Sequence, residues 1–229
     1  MPANILSLLQ TSDSFFPSGS YAHSHGLETC VELGLVRNES DLESFLGDLL
    51  RTVFQRQEIP ACLLAQEFFL QNKRRGLLEL DTKLHALKVA QELRKASIQT
   101  GIARWNILLS LLPREPLLIW FDACRKDGQA HGHHSLVCGL QNACLGIPPQ
   151  IGAQALAYQA LSGAVSAGMR LLRFGQETAQ RMIFRLAAGI PAAVAEAGKI
   201  SLEDLGASAP ILDIAAMRHH RAYRRLFLS

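Results

Sequence analysis

The segment Ser40-Asp-Leu-Glu-Ser-Phe-Leu-Gly-Asp-Leu-Leu-Arg-Thr-Val-Phe-Gln-Arg56 decides the fold class of this chain. Its apolar residues recur at spacings of three and four, which places them on one side of an α-helix. Those residues are Leu42, Phe45, Leu46, Leu49, Leu50, Val53 and Phe54. Ser40 stands at the N-cap position and Glu43 at the capping-box position, so the segment predicts a helix from Asp41 to Arg56.

Helical spacing recurs along the rest of the chain, and no window alternates with the period of two that marks a strand. The sequence predicts helices at 5–9, about 21–33, 60–72, 77–112 (one long helix or two), 117–125, 135–145, 151–173, 177–188 and 191–197. A final short helix is expected to begin near Ser201, and the basic run 73–76 is expected to be a solvated connection. The pattern therefore predicts an all-α protein, a compact single-domain helical bundle.

The C-terminal end differs in charge from the rest of the chain. Residues 214–229 contain four arginines and no acidic residue. Because the net charge of the whole chain is +3, the preceding residues together carry a charge of −1. The chain ends in Leu226, Phe227, Leu228 and Ser229, and apolar side chains beside arginines suit a groove on a protein better than nucleic acid. We expect a helical domain over 1–212 and a flexible basic C-terminal tail over 213–229 that binds a protein partner.

Composition and cysteine usage favour a cytoplasmic protein. The five cysteines are odd in number, widely spaced and never in a Cys-x-x-Cys pair, which is typical of reduced thiols in the core. Residues 151–169 carry no charge, but eleven of the 23 residues in 151–173 are Ala, Gly or Ser, so insertion into lipid would gain little. We expect no membrane span, and a tightly packed helix here, in the core or at a subunit interface.

The chain lacks the motifs of the common nucleotide-binding and hydrolytic sites. There is no phosphate-binding loop, no His-Glu-x-x-His and no Gly-x-Ser-x-Gly. The histidines cluster as His23 and His25, as His131, His133 and His134, and as His219 and His220. Imidazole suits nickel, zinc and copper, which makes a metal-dependent enzyme one hypothesis, although residues one or two apart do not share a helix face. Surface, capping or partner-contact histidines are the alternative.

Three further segments stand out. The first is Ser12-Asp-Ser-Phe-Phe-Pro-Ser-Gly-Ser-Tyr-Ala-His-Ser-His-Gly-Leu-Glu28, in which Pro17 and Gly19 favour a turn that Phe15 and Phe16 are expected to anchor. The second is Phe174–Arg181, where Gly175 is expected to cap the preceding helix and Gln176 the next. The third is Pro210–Ser229.

Two single side chains have both a structural and a functional interpretation. Glu28 is expected to be either a solvent-facing helix acid or a contact to a partner. Tyr158 lies four residues after Gln154, so it forms either part of a polar stripe or a core contact with a satisfied hydroxyl group.

These segments together resemble the urease accessory protein family UreF. The resemblance also includes Leu93–Ser97, His133–Gly139 and Ala167–Gln176, in family order over essentially the whole chain. It implies an all-helical, non-catalytic chaperone that forms a homodimer, binds UreD (also called UreH) and recruits the GTPase UreG. That complex delivers nickel to apo-urease, and the chaperone binds no cofactor stably. Two roles stay open, the gating of GTP hydrolysis by UreG and a passage for nickel.

The resemblance also implies which residues meet each partner. It assigns UreD binding to Tyr223, Arg225, Leu226, Phe227 and Ser229. It assigns UreG binding, or the gating of UreG, to Ser24, His25, Glu28, Tyr158 and Gln176. The alternatives are a metal-dependent enzyme that uses the two upstream histidine clusters, and a generic helical adaptor unrelated to urease.

Overall fold

A computed structural model describes residues 5–17 and 26–219. Within these ranges the chain forms α-helices and one π-helix and no β-strand, which confirms the predicted all-α class. The helices are α1 Ile5–Ser12, α2 Leu27–Glu32, α3 Glu39–Leu49, the π-helix Leu50–Glu58, α4 Ile59–Leu70, α5 Arg74–Leu87, α6 Gln91–Leu111, α7 Pro116–Lys126, α8 His134–Cys144, α9 Pro149–Leu172, α10 Gln176–Ala187, α11 Ile190–Ala197 and α12 Pro210–His219.

The helix predicted from Asp41 to Arg56 has a different N-cap, and its second half has a different conformation from the one predicted. Asn38, not Ser40, is the N-cap, and its side chain accepts a hydrogen bond from the Asp41 amide at 2.9 Å. After Leu49 the chain winds as a π-helix and then continues into α4. At the start of α4, Pro60 has no N–H to donate to the carbonyl of Arg56 four residues earlier. That carbonyl accepts from the Gly206 amide instead, at 3.1 Å.

Two other segments depart from the predicted pattern. The range 77–112 divides into α5 and α6, which was one of the two predicted alternatives, but the basic run 73–76 mostly forms the first turn of α5 instead of a connection. No helix begins at Ser201. Its hydroxyl group accepts from the Asp204 amide at 3.2 Å and closes a turn, which Lys83 holds by donating to the carbonyl oxygens of Leu202 and Glu203. The last described helix, α12, crosses the predicted boundary between domain and tail.

Two apolar cores lie side by side in the bundle. The first is formed mainly by α2, α3, the π-helix and α9 to α12. The second is formed by α4 to α8 together with Leu205. The helices α4 and α8 pack closely, with Gly139 of α8 against the Cys62 carbonyl of α4. All five cysteines are free thiols and four are buried, as the sequence predicted.

The small residues of α9 are used for packing within the chain. A Cβ atom added at Gly152 would lie 2.1 Å from the side-chain nitrogen Nδ2 of Asn142, and one added at Gly168 would lie 2.3 Å from Cδ2 of Leu42. Most of the Ala and Gly side of this helix is buried in the first core. No helix in the described ranges has the length and hydropathy needed to cross a bilayer.

The close approach of α4 and α8 generates a stability prediction. A Cβ at Gly139 would lie 2.2 Å from the Cys62 carbonyl oxygen, so Gly139→Ala forces the helices apart. We expect a loss of roughly 1–3 kcal/mol in the free energy of unfolding, measured by urea titration with circular dichroism. Gly163→Ala is the matched control, since a Cβ there meets nothing within 4 Å and alanine favours a helix. Equal stability of the two variants would contradict this packing.

Candidate functional site

A turn follows α1 in the N-terminal segment, and one of its two phenylalanines packs on the body of the protein. The Phe15 amide donates to the Asp13 carboxylate at 2.6 Å, and the Phe16 amide to the Asp13 carbonyl at 3.0 Å, which closes a turn after α1. Phe16 is buried but Phe15 is 90% exposed, so only one of the two predicted anchors packs. The segment 18–25, with the candidate residues Ser24 and His25 and with His23, lies outside the described residues.

Glu28 is buried, which corrects the expectation of a solvent-facing acid. Gly26 adopts a left-handed conformation with φ +84°, and α2 starts directly after it. Glu28 therefore falls in the first turn of α2 and is 3% exposed. A carboxylate in that turn is favoured by the helix dipole. The helix packs against α9 and α12.

Segments from opposite ends of the chain meet at α2. Leu27 and Cys30 of α2 share the first core with Ala157 of α9 and Ala215 of α12. The last residues of the N-terminal motif, Leu27 and Glu28 in α2, therefore lie beside the first turns of the C-terminal motif, with α9 packed against the same short helix. Sequence reasoning placed these three segments in one family pattern but gave no indication that they touch.

Tyr158 and Gln176 both lie on the surface. Tyr158 of α9 is 46% exposed, so the interpretation as a core contact is wrong. Gln176 is the exposed first residue of α10. Arg173, with φ +57°, caps α9, whereas Gly175 is the N-cap of α10, which corrects the predicted role of Gly175. Helices α9 and α10 pack together, so both side chains belong to one helix pair.

The candidate UreD-binding residues Tyr223, Arg225, Leu226, Phe227 and Ser229 lie outside the described residues. Their assignment stays a prediction. On α12, which leads into that segment, Ile214 and Met217 are about half exposed at 50% and 44%.

The histidines near α8 form a group around the buried His133, with one member that sequence reasoning missed. His85 of α5 stacks on His131 with ring centroids 3.6 Å apart, and its Nδ1 lies 3.4 Å from Nε2 of His133. His133 is fully buried, and its Nδ1 lies 3.0 Å from the Ser97 hydroxyl group. The Asp81 carboxylate holds the loop by accepting from the amides of residues 131–133. Because His85 is far from this loop in sequence, spacing could not have indicated it.

This group is built as a structural junction. In a serine–histidine–aspartate triad the carboxylate would contact the second ring nitrogen of the histidine. Here Asp81 contacts backbone amides, and that second nitrogen faces His85. In the described ranges, no three His, Cys, Asp or Glu side chains are arranged to hold a metal ion. Burial, and more weakly the nearby Lys88, lowers the pKa of His133 to about 3, so the ring is neutral at neutral pH.

A cavity of about 130 Å³ lies between the π-helix, α6, α9 and the segment 207–213. Glu58 and Lys88 form a buried ion pair on its wall. Burial alone would raise the pKa of Glu58, but attraction to Lys88 and hydrogen bonds with Lys88 and Ser135 outweigh burial and lower it to about 2. Asp213 of α12 faces the same cavity, and its own burial raises its pKa. Sequence reasoning missed all three, because they come from distant segments.

Comparison with known proteins gives a consistent result. The UreF family model matches residues 36–187. The chain is 32% identical to the urease accessory protein UreF of Bacillus sp. (strain TB-90), over 98% of this chain and 99% of that protein. It is 32% identical to the protein of the same name from Arthrobacter sp. (strain FB24), over 98% and 96%. With that of Xanthobacter autotrophicus it shares 31% identity, over 100% and 92%.

The neutral, buried state of His133 generates a pH prediction. Its folded-state pKa of about 3 lies below the usual value of 6.5, so stability is complete above pH 6.5 and is lost as the pH falls towards 3. Between pH 7 and pH 5 this residue alone should lower the free energy of unfolding by about 2 kcal/mol. Urea titrations of the wild type and of His133→Asn, which cannot be protonated, measure the difference. An identical pH dependence in both would contradict the assignment.

Proposed function

Because the chain belongs to the UreF family, we propose that it is a urease accessory protein, a chaperone that joins UreD (UreH) and the GTPase UreG in the complex that inserts nickel into apo-urease. The family match covers well over half of the chain, and the relatives match almost all of it. In this role the chain is non-catalytic. Nickel is the cargo of the complex and is not bound stably by this protein.

The observation that carries the proposal is the meeting of the two terminal motifs. A scaffold must present separate surfaces to different partners from one rigid body. In the described chain, α2 contacts both α9 and α12, so the end of the N-terminal motif, the small-residue helix and the start of the C-terminal segment form one unit. The proposed UreD-binding residues follow directly after α12 in the sequence.

The residues proposed for UreG binding include exposed and buried side chains, which have different roles. Tyr158 and Gln176 are exposed and contact UreG directly. Glu28 is buried and acts by fixing the position of α2. The segment that contains Ser24 and His25 lies just before α2 in the sequence. Contact with UreG provides a means to regulate its GTP hydrolysis, although this chain has no phosphate-binding loop of its own.

We also propose a homodimer, acting in the cytoplasm. On α1 the side chains Ile5, Leu6 and Leu9 are exposed by 63%, 74% and 60%, and α1 packs on α9. Three apolar side chains on one short helix form a surface that a second copy would cover. The five free cysteines support a reducing compartment.

The tail should provide most of the UreD-binding energy. We expect Arg225→Ala and deletion of 224–229 to weaken UreD binding at least tenfold, because a forked cation and apolar anchors dominate small interfaces. Biolayer interferometry with purified UreD measures the affinity. Helix content, melting temperature and oligomeric state by light scattering should match the wild type.

The matched control is Arg114→Ala, which removes an exposed arginine outside the tail. It should bind UreD as the wild type does. If the tail deletion also binds UreD with unchanged affinity, the tail has no part in this interaction. If the deletion unfolds the protein, the tail is structural, and its assignment to UreD is wrong in that case too.

A further inference from the structure

Arg104 of α6 is a fully enclosed cation at the junction of three helices and the N-terminal segment. It is 2% exposed. Its Nη1 donates to Gln141 Oε1 of α8 at 2.9 Å and to the Thr11 carbonyl at 3.3 Å, and its Nη2 donates to Gln159 Oε1 of α9 at 3.2 Å. The guanidinium carbon lies 4.7 Å from the centre of the Phe16 ring.

The partners of this cation are unusual, because each hydrogen-bond acceptor is a neutral oxygen. Among the described residues no carboxylate lies within ion-pair distance of Arg104, and its Nε has no hydrogen-bond partner. A buried cation with neutral partners is costly to desolvate, and an apolar side chain of similar size is often at least as stabilising. The stability of the helical body therefore does not explain why an arginine stands here.

The contacts of Arg104 divide into two sets. Gln141 and Gln159 belong to the helical body, whereas Thr11 and Phe16 belong to the N-terminal segment 5–17. Besides these contacts, α1 packs on α9. Thr11 is the one buried residue among the described side chains of α1, and three apolar side chains of the helix face solvent. Gln159 also donates to the Thr11 carbonyl, at 3.5 Å, so both groups converge on one point of the segment.

We propose that Arg104 is a positioning residue that fastens segment 5–17 to the helical body and thereby holds the described start of the N-terminal motif, residues 12–17, in place for partner binding. The guanidinium fork suits this task, because it reaches two acceptors on the body and one on the segment while its face covers the Phe16 ring. The first half of the inference concerns this chain alone. The second half, on partner binding, rests on the proposed function.

Hydrogen–deuterium exchange of the full chain tests the attachment without any partner. In Arg104→Met the amides of segment 5–17 should exchange at least tenfold faster, while those of α8 and α9 and the melting temperature stay near the wild-type values. Arg104→Lys keeps the charge without the fork and should give an intermediate rate. The control Arg114→Met, at an exposed arginine, should change nothing.

A second variant removes the same contact by changing the residue that segment 5–17 contributes. Phe16→Ala leaves the helical body intact and removes the ring that Arg104 covers, so it should accelerate exchange in the same amides even if Arg104→Met folds poorly. Unchanged exchange in segment 5–17 in Phe16→Ala, or loss of protection spread evenly over α8 and α9 in Arg104→Met, would overturn the attachment.

Binding of purified UreG by the same variants tests the second half. Arg104→Met and Phe16→Ala should weaken binding in the order in which they accelerate exchange. If exchange responds but wild-type protein does not bind UreG, the proposed function fails and the attachment stands. If wild-type protein binds UreG and the variants bind equally well despite faster exchange, the attachment stands and its role in partner binding is wrong.

Discussion

Close packing around α9 is the constraint on which the rest of the structure depends. Glycines at 152 and 168 let the side chains of Asn142 of α8 and Leu42 of α3 approach closely, and a Cβ atom at either position would force those side chains to move. The same helix also contacts α1, α2, α10 and α11. Because α12 packs on α2, the end of the N-terminal motif and the start of the C-terminal motif share the core to which α9 contributes.

Buried polar groups fix the positions of segments that apolar packing alone does not fix. Asp81 and His133 hold the loop before α8, Lys88 pairs with Glu58 at the end of the π-helix, and Arg104 holds the N-terminal segment. Groups of this kind contribute less to net stability than to the choice of one arrangement over others, because their desolvation offsets much of their attraction. Each of them joins segments that lie far apart in the sequence. For a scaffold that must present several surfaces at fixed positions, this choice of arrangement matters more than a larger free energy of unfolding.

Local pattern predicted much of the helix content but few of the contacts. The predicted helices at 135–145, 151–173 and 177–188 begin and end within two residues of α8, α9 and α10, because apolar periodicity and Pro or Gly boundaries are local signals. The π-helix Leu50–Glu58 was not predicted, because the apolar spacing of this segment is that of an α-helix. The burial of Glu28 and the approach of His85 to His133 depend likewise on tertiary contacts. The family resemblance supplied the candidate partner-binding residues, and all of them stay predictions.

The most direct test of the central claim is the nickel content and activity of urease in cells that lack this chain. Urease purified from a deletion strain should be present at normal abundance but poor in nickel and inactive, and expression of the wild-type chain should restore both properties. Metal analysis and a urea turnover assay on the same sample give the answer. Urease with full nickel content and full activity in the deletion strain would contradict the claim that this protein acts in urease maturation.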